Sequence, residues 1–231
     1  MDHICLSPRL QMVADFVPPC ACAADIGTDH GYLPIWLLQN GVIRSAIAAD
    51  IHAGPLANAR LSAAAYDLEE RFRFVLADGL RFPDAQAADV VTIAGMGGET
   101  ICAILAAAPW LREGKQLVLQ PQSKVPELTD WLWRNGFTIE DAALCRDAGK
   151  RYLALRVLGQ PAVQTYTVEQ LLLRRRDPLL TEHLKEEIRR QTRARAGMAH
   201  AKQTPAAELA ALDARLSQLQ ACLKEVQTWQ S

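Results

Sequence analysis

The chain has 231 residues, of which 50% are hydrophobic and 22% are charged, with a formal net charge of −1. This length and composition suit one well-buried α/β domain with a smaller appendage. The charge balance excludes a globally basic protein, and the absence of a long uninterrupted apolar run excludes a predicted membrane-spanning segment.

Charge is unevenly divided along the chain. Residues 1–159 carry a net charge of −4 and residues 160–231 a net charge of +3. This asymmetry indicates that the C-terminal part meets an anionic partner. A solvated helical face explains the same excess of arginine and lysine equally well.

The N-terminus and the cysteines predict a cytoplasmic protein without a metal. The opening segment MDHICLSPRL has no charged start followed by an apolar core, so no secretory leader is expected. No C-x-x-C pair occurs, so free thiols in a reducing cytosol are expected and no zinc site is predicted. The six cysteines are Cys5, Cys20, Cys22, Cys102, Cys145 and Cys222.

Apolar runs and helical patterns alternate through the first two thirds of the chain. Strands are predicted at residues 21–27, 45–51, 72–79, 88–98 and 115–122. Helices are predicted at residues 32–41, 54–68, 98–111 and 125–136. Two further strands, residues 137–145 and 151–158, flank a turn at 146–150. This order predicts an α/β doubly wound sheet of seven strands ending in an antiparallel pair.

The pattern changes after residue 159, which places a domain boundary between residues 1–159 and 160–231. Residues 168–198 form an arginine-rich helical pattern, and residues 202–205 interrupt it. A second amphipathic helix follows, in which leucines recur at positions 209, 212, 216, 219 and 223. A helical hairpin is the simplest interpretation, a coiled-coil dimer is the alternative, and a monomer or weak dimer is expected.

The first turn, residues 27–31, raises the question of the ligand. A dinucleotide site uses closely spaced glycines so that a pyrophosphate can approach the backbone. Here Asp29 and His30 occupy the turn, and a carboxylate would repel a pyrophosphate. A cationic ligand reverses that sign, and S-adenosylmethionine carries a sulfonium and an ammonium. Asp25 at the strand end and Asp29 are the expected partners of that charge.

Further acids follow the next two strands. Asp50 is placed to accept hydrogen bonds from both ribose hydroxyls, and Asp78 from the adenine amino group. Each aspartate alone is as readily a helix N-cap. The glycine-rich segment AGMGGE, residues 94–99, would form the wall of the methyl-transfer site or simply a tight turn. Gln120 and Gln122 end the fifth strand, where a glutamine side chain can recognise a base edge.

These motifs resemble one known family. Arg9-Leu10, DIGTDHGYLP at 25–34, Gly54-Pro55, DGL at 78–80, AGMGG at 94–98, LQPQ at 119–122 and GKRY at 149–152 follow the order and spacing of the bacterial TrmK-type tRNA (adenine-N1)-methyltransferases. The resemblance covers residues 7–158. This chain differs from the family at three places. The family more often has Glu at the position of Asp50, it usually has QPN where this chain has QPQ ending at Gln122, and it has an acid at the position that follows Tyr152.

The resemblance implies a Rossmann-like, seven-stranded class I methyltransferase fold with a C-terminal α-helical, coiled-coil-like domain. It implies methylation of N1 of adenosine 22 in tRNA, with S-adenosyl-L-methionine as cofactor. The cofactor would be bound by Asp25, Gly27, Asp29, Asp50, Asp78, Gly79, Gly95, Met96 and Gly97.

The expected chemistry needs no strong base, because neutral adenine N1 has a lone pair and the product is a cation. Asp29 is the first candidate for stabilising that charge, and His30 for hydrogen bonding to the base or orienting Asp29. His30 is otherwise a local helix-start residue, and Tyr32 either stacks on the base or packs on the sheet. The target base must be unpaired or flipped out.

Basic residues are expected to follow the tRNA backbone. They are Arg9, Lys150, Arg151, Arg174, Arg175, Arg176, Arg189 and Arg190, with Tyr32, Gln120 and Gln122 also assigned to the substrate. Two other functions remain open: a non-catalytic RNA-binding protein that retains the cofactor fold, and a methyltransferase for a small molecule or protein. A dehydrogenase fits least, because the first turn does not suit a pyrophosphate.

Overall fold

The computed structural model describes residues 3–200 and 206–229. The chain divides into two compact units, Met1–Thr165 and Tyr166–Ser231. The sequence predicts the boundary a few residues earlier, after Gly159.

Seven strands of the described N-terminal unit form one sheet. They are β1 (Cys20–Ile26), β2 (Ile43–Asp50), β3 (Phe72–Leu76), β4 (Val90–Gly97), β5 (Gln116–Ser123), β6 (Thr138–Asp147) and β7 (Lys150–Leu158). Their order is β3-β2-β1-β4-β5-β7-β6. The first five strands are mutually parallel, and β7 runs antiparallel to both β5 and β6. The predicted fold class is therefore confirmed.

Five α-helices accompany this sheet in the described part of the unit. They are α1 (Pro8–Ala14), α2 (Tyr32–Gln39), α3 (Ala53–Ala65), α4 (Gly98–Ala106) and α5 (Val125–Arg134). The sequence did not predict α1, although its start carries a readable signal. The Ser7 hydroxyl accepts a hydrogen bond from the Leu10 amide, and Pro8 occupies the first helical position, where its missing N–H is not needed.

The hairpin between β6 and β7 is tighter than the predicted turn at 146–150. The pairing continues to Asp147 opposite Lys150, so only Ala148 and Gly149 form the turn. Both have positive φ, 46° and 76°, which is the conformation of a two-residue turn whose twist matches that of the strands. The predicted hairpin is confirmed, but its turn is shorter than predicted, because Arg146, Asp147 and Lys150 at the two ends of RDAGK remain in the ladder.

The core of this unit lies between the sheet and its helices. Val13 of α1 and Leu37 of α2 are buried against Ala46, Val90 and Val118 of the central strands. Side chains facing both directions are buried along β1 and β2, as expected for parallel strands covered by helices. Burial of this kind anchors α1 to the sheet, and α1 in turn positions Arg9.

The C-terminal unit contains α6 (Val168–Arg175), α7 (Leu180–His200) and α8 (Ala206–Gln227). The single helix predicted over 168–198 is wrong, because the chain breaks between α6 and α7. Arg176 adopts a left-handed conformation, Pro178 has no amide N–H, and the Asp177 carboxylate accepts a hydrogen bond from Leu179 N at 2.9 Å. The predicted interruption at 202–205 lies outside the described residues.

A buried carboxylate joins the three helices of this unit. Glu169 of α6 is 4% exposed, and its Oε1 lies 2.6 Å from Arg215 Nη2 of α8 and 3.7 Å from His183 Nε2 of α7. Burial alone would raise the pKa of Glu169, but His183 and Arg215 outweigh it and lower the pKa to about 2. Leu216 and Leu219 complete the buried face of α8.

The helical unit is expected to lose stability as the pH falls from about 4.5 to about 2. Glu169 has a lower pKa folded than its ordinary 4.5, so its stabilisation is present above 4.5 and lost as the carboxylate is protonated. Amide exchange protection of α6 should therefore be lower at pH 3 than at pH 6. Glu169→Gln should remove most of this difference, and equal protection of the wild type at both pH values would contradict it.

None of the described helices is long and apolar enough to cross a membrane. Within residues 3–200 and 206–229, no group of three or more His, Cys, Asp or Glu side chains is arranged to hold a metal ion.

Candidate active site

The strand order reverses between β1 and β4, which creates a crevice at the carboxyl ends of the parallel strands. Open α/β sheets bind ligands at such a point. A pocket of about 210 Å³ opens there in the described structure. It is lined by Ile26, Gly27, Asp50, Ile51, Ala77, Asp78, Gly79, Arg81, Met96, Thr100, Ala103, Ile104 and Ala107.

The first two amides of the turn after β1 are bonded within the protein. The N–H groups of Gly27 and Thr28 both donate to the carbonyl of Ala49, at 2.8 and 3.1 Å. Gly27 has φ +78°, and a Cβ there would lie 2.1 Å from Met96 Cε. A side chain at this position would close the space between the turn and β4, so the glycine keeps the crevice open.

Asp25 lies at the end of β1 beside Thr92 of β4. The Thr92 hydroxyl donates to Asp25 Oδ1 at 2.7 Å. Burial raises the pKa of Asp25, the hydroxyls of Thr92 and Thr28 lower it, and the negative charge of Asp50 raises it again. The Thr28 hydroxyl is near enough for this effect but makes no well-aligned hydrogen bond among the described residues. Asp25 does not line the pocket but directly precedes Ile26, which does, so a cation bound beside Ile26 would lower the cost of ionising Asp25.

Asp50 and Asp78 both line the pocket but differ in their partners. Asp50 Oδ1 accepts a hydrogen bond from His52 N at 2.7 Å, which orients the carboxylate at the end of β2. Asp78 forms an exposed ion pair with Arg81 at 2.8 Å. Gly79 has φ +60°, and a Cβ there would lie 3.0 Å from Ile104. The DGL segment therefore brings its backbone close to α4.

Asp29, His30 and Tyr32 do not line the pocket. The Asp29 side chain is 75% exposed, and its Oδ2 lies 3.6 Å from His30 Nε2. The His30 ring stacks on the Tyr32 ring with centroids 5.1 Å apart. These three residues form an exposed polar and aromatic surface at the start of α2, next to the crevice.

Gln120 occupies the interior beneath the end of β4. It is fully buried, and its Oε1 accepts hydrogen bonds from Arg9 Nη1 at 3.0 Å and from Gly95 N at 3.2 Å. Its Nε2 donates to the Pro121 carbonyl at 3.0 Å. Because both ends of the side chain bond within the protein, recognition of a base edge by Gln120 stays a prediction without support from this geometry.

Comparison with known proteins places this site in a family. Residues 6–155 match the family model described as a methyltransferase domain. The chain is 36% identical over 156 residues to the tRNA (adenine(22)-N(1))-methyltransferase of Bacillus subtilis, covering 67% of this chain and 66% of that protein, just under two thirds of its length. The chain belongs to the TrmK-type methyltransferase family.

Two solved structures resemble nearly the whole chain. The B. subtilis m1A22 tRNA methyltransferase TrmK is 27% identical, with a TM-score of 0.79 over 96% of this chain and 100% of that one. Streptococcus pneumoniae Sp1610, described as a candidate tRNA (m1A22) methyltransferase, was solved with S-adenosyl-L-methionine. It is 30% identical, with a TM-score of 0.77 over 95% of this chain and 100% of that one.

The remaining predicted substrate residues of this TrmK-type chain fall into two groups. Lys150 and Arg151 begin β7, which runs antiparallel to β5, so they lie at the same sheet edge as exposed Gln122. The others belong to the helical unit. There Arg174 and Arg176 lie over the rings of Tyr166 and Trp229, at 4.7 and 5.8 Å, and Arg175 completes the C-terminal turn of α6.

The two α7 arginines predicted to bind the substrate, Arg189 and Arg190, are bonded within their own helix. Arg190 pairs with Glu187 at 2.7 Å, and Arg189 Nε donates to the Lys185 carbonyl at 3.2 Å. Neither of these two contacts joins Arg189 or Arg190 to the arginines at the end of α6. Their assignment to the substrate stays a prediction.

The structure adds residues to this TrmK-type site that the sequence did not single out. Thr92 bonds Asp25, while Ile51, Arg81 and Ile104 line the pocket. Thr92 had a readable signal, because it is a lone polar residue within the apolar run of β4. Ile51, Arg81 and Ile104 had no such signal in the sequence, because their place in the pocket depends on the packing of α4 against the segments that follow β2 and β3.

Proposed function

We propose that this chain transfers the methyl group of S-adenosyl-L-methionine to N1 of adenosine 22 in tRNA. The observation that carries the proposal is the 36% identity to the B. subtilis tRNA (adenine(22)-N(1))-methyltransferase, over a segment that includes the crevice. The related S. pneumoniae structure binds S-adenosyl-L-methionine, which supports the same cofactor here. As an enzyme acting on tRNA, the protein would work in the cytoplasm, and a monomer or weak dimer stays a prediction.

The crevice fits the proposed cofactor, which would supply an electrophilic methyl group on a sulfonium. Gly27 has no Cβ, and the amides of Gly27 and Thr28 both donate to the Ala49 carbonyl, so the start of this turn leaves space for a ligand and offers neither amide to a phosphate. Asp25, whose pKa burial raises, would bind the cationic end of the ligand. Asp50 would accept the ribose hydroxyls, and Asp78 the adenine amino group in competition with Arg81.

Asp29 and His30 would act on the target base rather than in the pocket interior. Methylation at N1 moves positive charge onto adenine, and a nearby carboxylate favours that change without removing a proton. Exposure of Asp29, His30 and Tyr32 beside the crevice suits a base flipped out of the tRNA. His30 would orient Asp29 through their 3.6 Å approach, and Tyr32 would offer a ring for stacking.

The arginine cluster of α6, defined as Arg174, Arg175 and Arg176, would bind tRNA phosphates. Two of its guanidinium groups lie over aromatic rings, which reduces their rotamer freedom and leaves the charge available to an anion. Lys150 and Arg151 would add phosphate contacts near the crevice. Recognition of this kind depends on tRNA shape as well as charge.

Loss of two of these charges should weaken tRNA binding in a salt-dependent way. For Arg174→Gln/Arg176→Gln, the slope of log affinity against log salt should decrease by about 2, while cofactor binding is unchanged. The matched control is Arg44→Gln/Arg134→Gln, which removes two exposed arginines of the N-terminal unit from the start of β2 and the end of α5. Equal slopes for both double variants would contradict the assignment.

The function is tested by incubating the protein with labelled S-adenosyl-L-methionine and unmodified tRNA, followed by identification of the nucleoside by mass and position. The expected product is 1-methyladenosine at position 22. Binding of tRNA without methyl transfer would instead support the RNA-binding protein that retains the fold. Transfer to a small molecule or protein, without tRNA binding, would support the third hypothesis.

A further inference from the structure

Arg9 is held inside the N-terminal unit rather than extended towards solvent. Its Nη1 donates to Gln120 Oε1 at 3.0 Å, and its guanidinium lies 5.8 Å from the centroid of the Tyr152 ring. Its backbone N–H donates to Asp147 Oδ2 at 3.3 Å. Arg9 is half-buried, so its three contacts join α1 to β5 and to the β6–β7 hairpin.

Gln120 connects Arg9 to the end of β4 by hydrogen bonds. Its single Oε1 accepts from both Arg9 and Gly95, and its Nε2 is fixed by the Pro121 carbonyl. Because Gln120 is fully buried, no water competes for that oxygen. The charge of Arg9 strengthens the bond and holds the amide in the one orientation that also receives the Gly95 N–H.

Gly95 is a bulge residue at the edge of the crevice. Ala94 pairs with Gln120 and Met96 with Pro121, so β4 has one residue more than β5 at this point. Gly95 has φ +81° and is exposed, and Met96 next to it lines the pocket and lies over Gly27. The bulge therefore determines the position of Met96 and of the exposed Gly95 backbone at the edge of the pocket.

We propose that Arg9 is a positioning residue for methyl transfer, which acts through Gln120 to hold the Gly95 bulge in place. This role differs from the predicted contact of Arg9 with the tRNA backbone. It rests on the proposed function for its kinetic consequence, but the hydrogen-bonded chain from Arg9 to Gly95 exists in the protein alone. A small shift of this wall would misplace methyl donor and acceptor, and such misplacement lowers rate more than affinity.

The test compares Arg9→Met, which keeps the length and removes the donors, with Arg9→Lys, which retains one charged donor. Arg44→Met is the matched control, because Arg44 is an exposed arginine at the opposite, amino-terminal end of β2. Measurements are kcat and KM for tRNA, Kd values for tRNA and S-adenosyl-L-methionine, the salt slope of tRNA binding, and exchange protection of the Gly95 amide.

For Arg9→Met, kcat should fall about tenfold, with both Kd values and the salt slope unchanged. Gly95 protection should also fall about tenfold, and Arg9→Lys should recover part of both losses. In the Gln120→Met background, Arg9→Met should have no further effect on kcat or Gly95 protection. If Gln120→Met does not fold, the Arg9→Met and Arg9→Lys pair still decides the question.

Three results would overturn the proposal. A weaker tRNA Kd with a salt slope reduced by about 1 would make Arg9 a phosphate contact. Unchanged Gly95 protection in Arg9→Met would show that no positioning chain exists. Additive losses in the double variant would show that Arg9 does not act through Gln120. If the wild type does not methylate tRNA, the proposed function fails, while Gly95 protection still decides the role of Arg9.

Discussion

Asp29→Asn is expected to lower kcat for tRNA methylation by about a hundredfold, with the Kd for S-adenosyl-L-methionine changed less than about threefold. The substitution preserves shape and the approach to His30 but removes the negative charge. That charge lies on an exposed side chain next to the crevice, where it would stabilise the cation that forms on the base. The rate should therefore fall while cofactor binding, which uses the pocket interior, remains.

The control for Asp29→Asn is Asp130→Asn, which removes a half-exposed carboxylate charge from the 3.1 Å pair with Arg134 on α5. An exposed pair of this kind contributes little to stability, so activity should stay within about twofold of wild type. Single-turnover kinetics with saturating cofactor separate the chemical step from binding. A wild-type single-turnover rate in Asp29→Asn would remove Asp29 from the chemistry.

Asp50→Ala is expected to raise the Kd for S-adenosyl-L-methionine by about a hundredfold, since the variant would lose two charge-assisted hydrogen bonds to the ribose. Asp50 lines the pocket, and the His52 N–H at 2.7 Å fixes the direction of its carboxylate. Removing the charge of Asp50 also lowers the pKa of Asp25, and an ionised Asp25 favours binding of a cation. The expected loss of affinity is the balance of these two opposite effects. Isothermal titration calorimetry at pH 7.5 measures it directly.

Asp50→Glu is the matched variant, because it keeps the carboxylate and extends it by one methylene. Its Kd should stay within about threefold of wild type, because the carboxylate can still accept hydrogen bonds from the ribose hydroxyls. If Asp50→Ala binds as tightly as Asp50→Glu, the acid at the end of β2 does not hold the ribose. Thermal unfolding of both variants without ligand checks that the folds are equally stable.

Local patterns were sufficient for most of the fold. Each apolar run predicted as a parallel strand overlaps one, and the glycine that ends DIG begins the turn after β1. The break between α6 and α7 is marked in the sequence by Asp177 and Pro178. The helical periodicity continues on both sides of the break, so periodicity alone predicts one helix.

The positions of the acids in the candidate site were predictable from the sequence, but their contacts were not. Asp25, Asp50 and Asp78 were predicted to converge because the carboxyl ends of neighbouring parallel strands share one edge, and Asp50 and Asp78 line the same pocket. The environment of each acid was not predictable. The bond from Thr92 to Asp25 and the pair between Asp78 and Arg81 depend on strand register and on a loop conformation.

By itself, the sequence determined the alternation of strands and helices, the acidic ends of the strands and the TrmK-type motifs, because each depends on residues close together in the chain. Only the tertiary structure brings Arg9 and Gln120 into contact. They are 111 positions apart, and the burial of α1 against the sheet brings one guanidinium to one amide oxygen. No periodicity or spacing encodes that contact, since it arises from packing between elements distant in sequence.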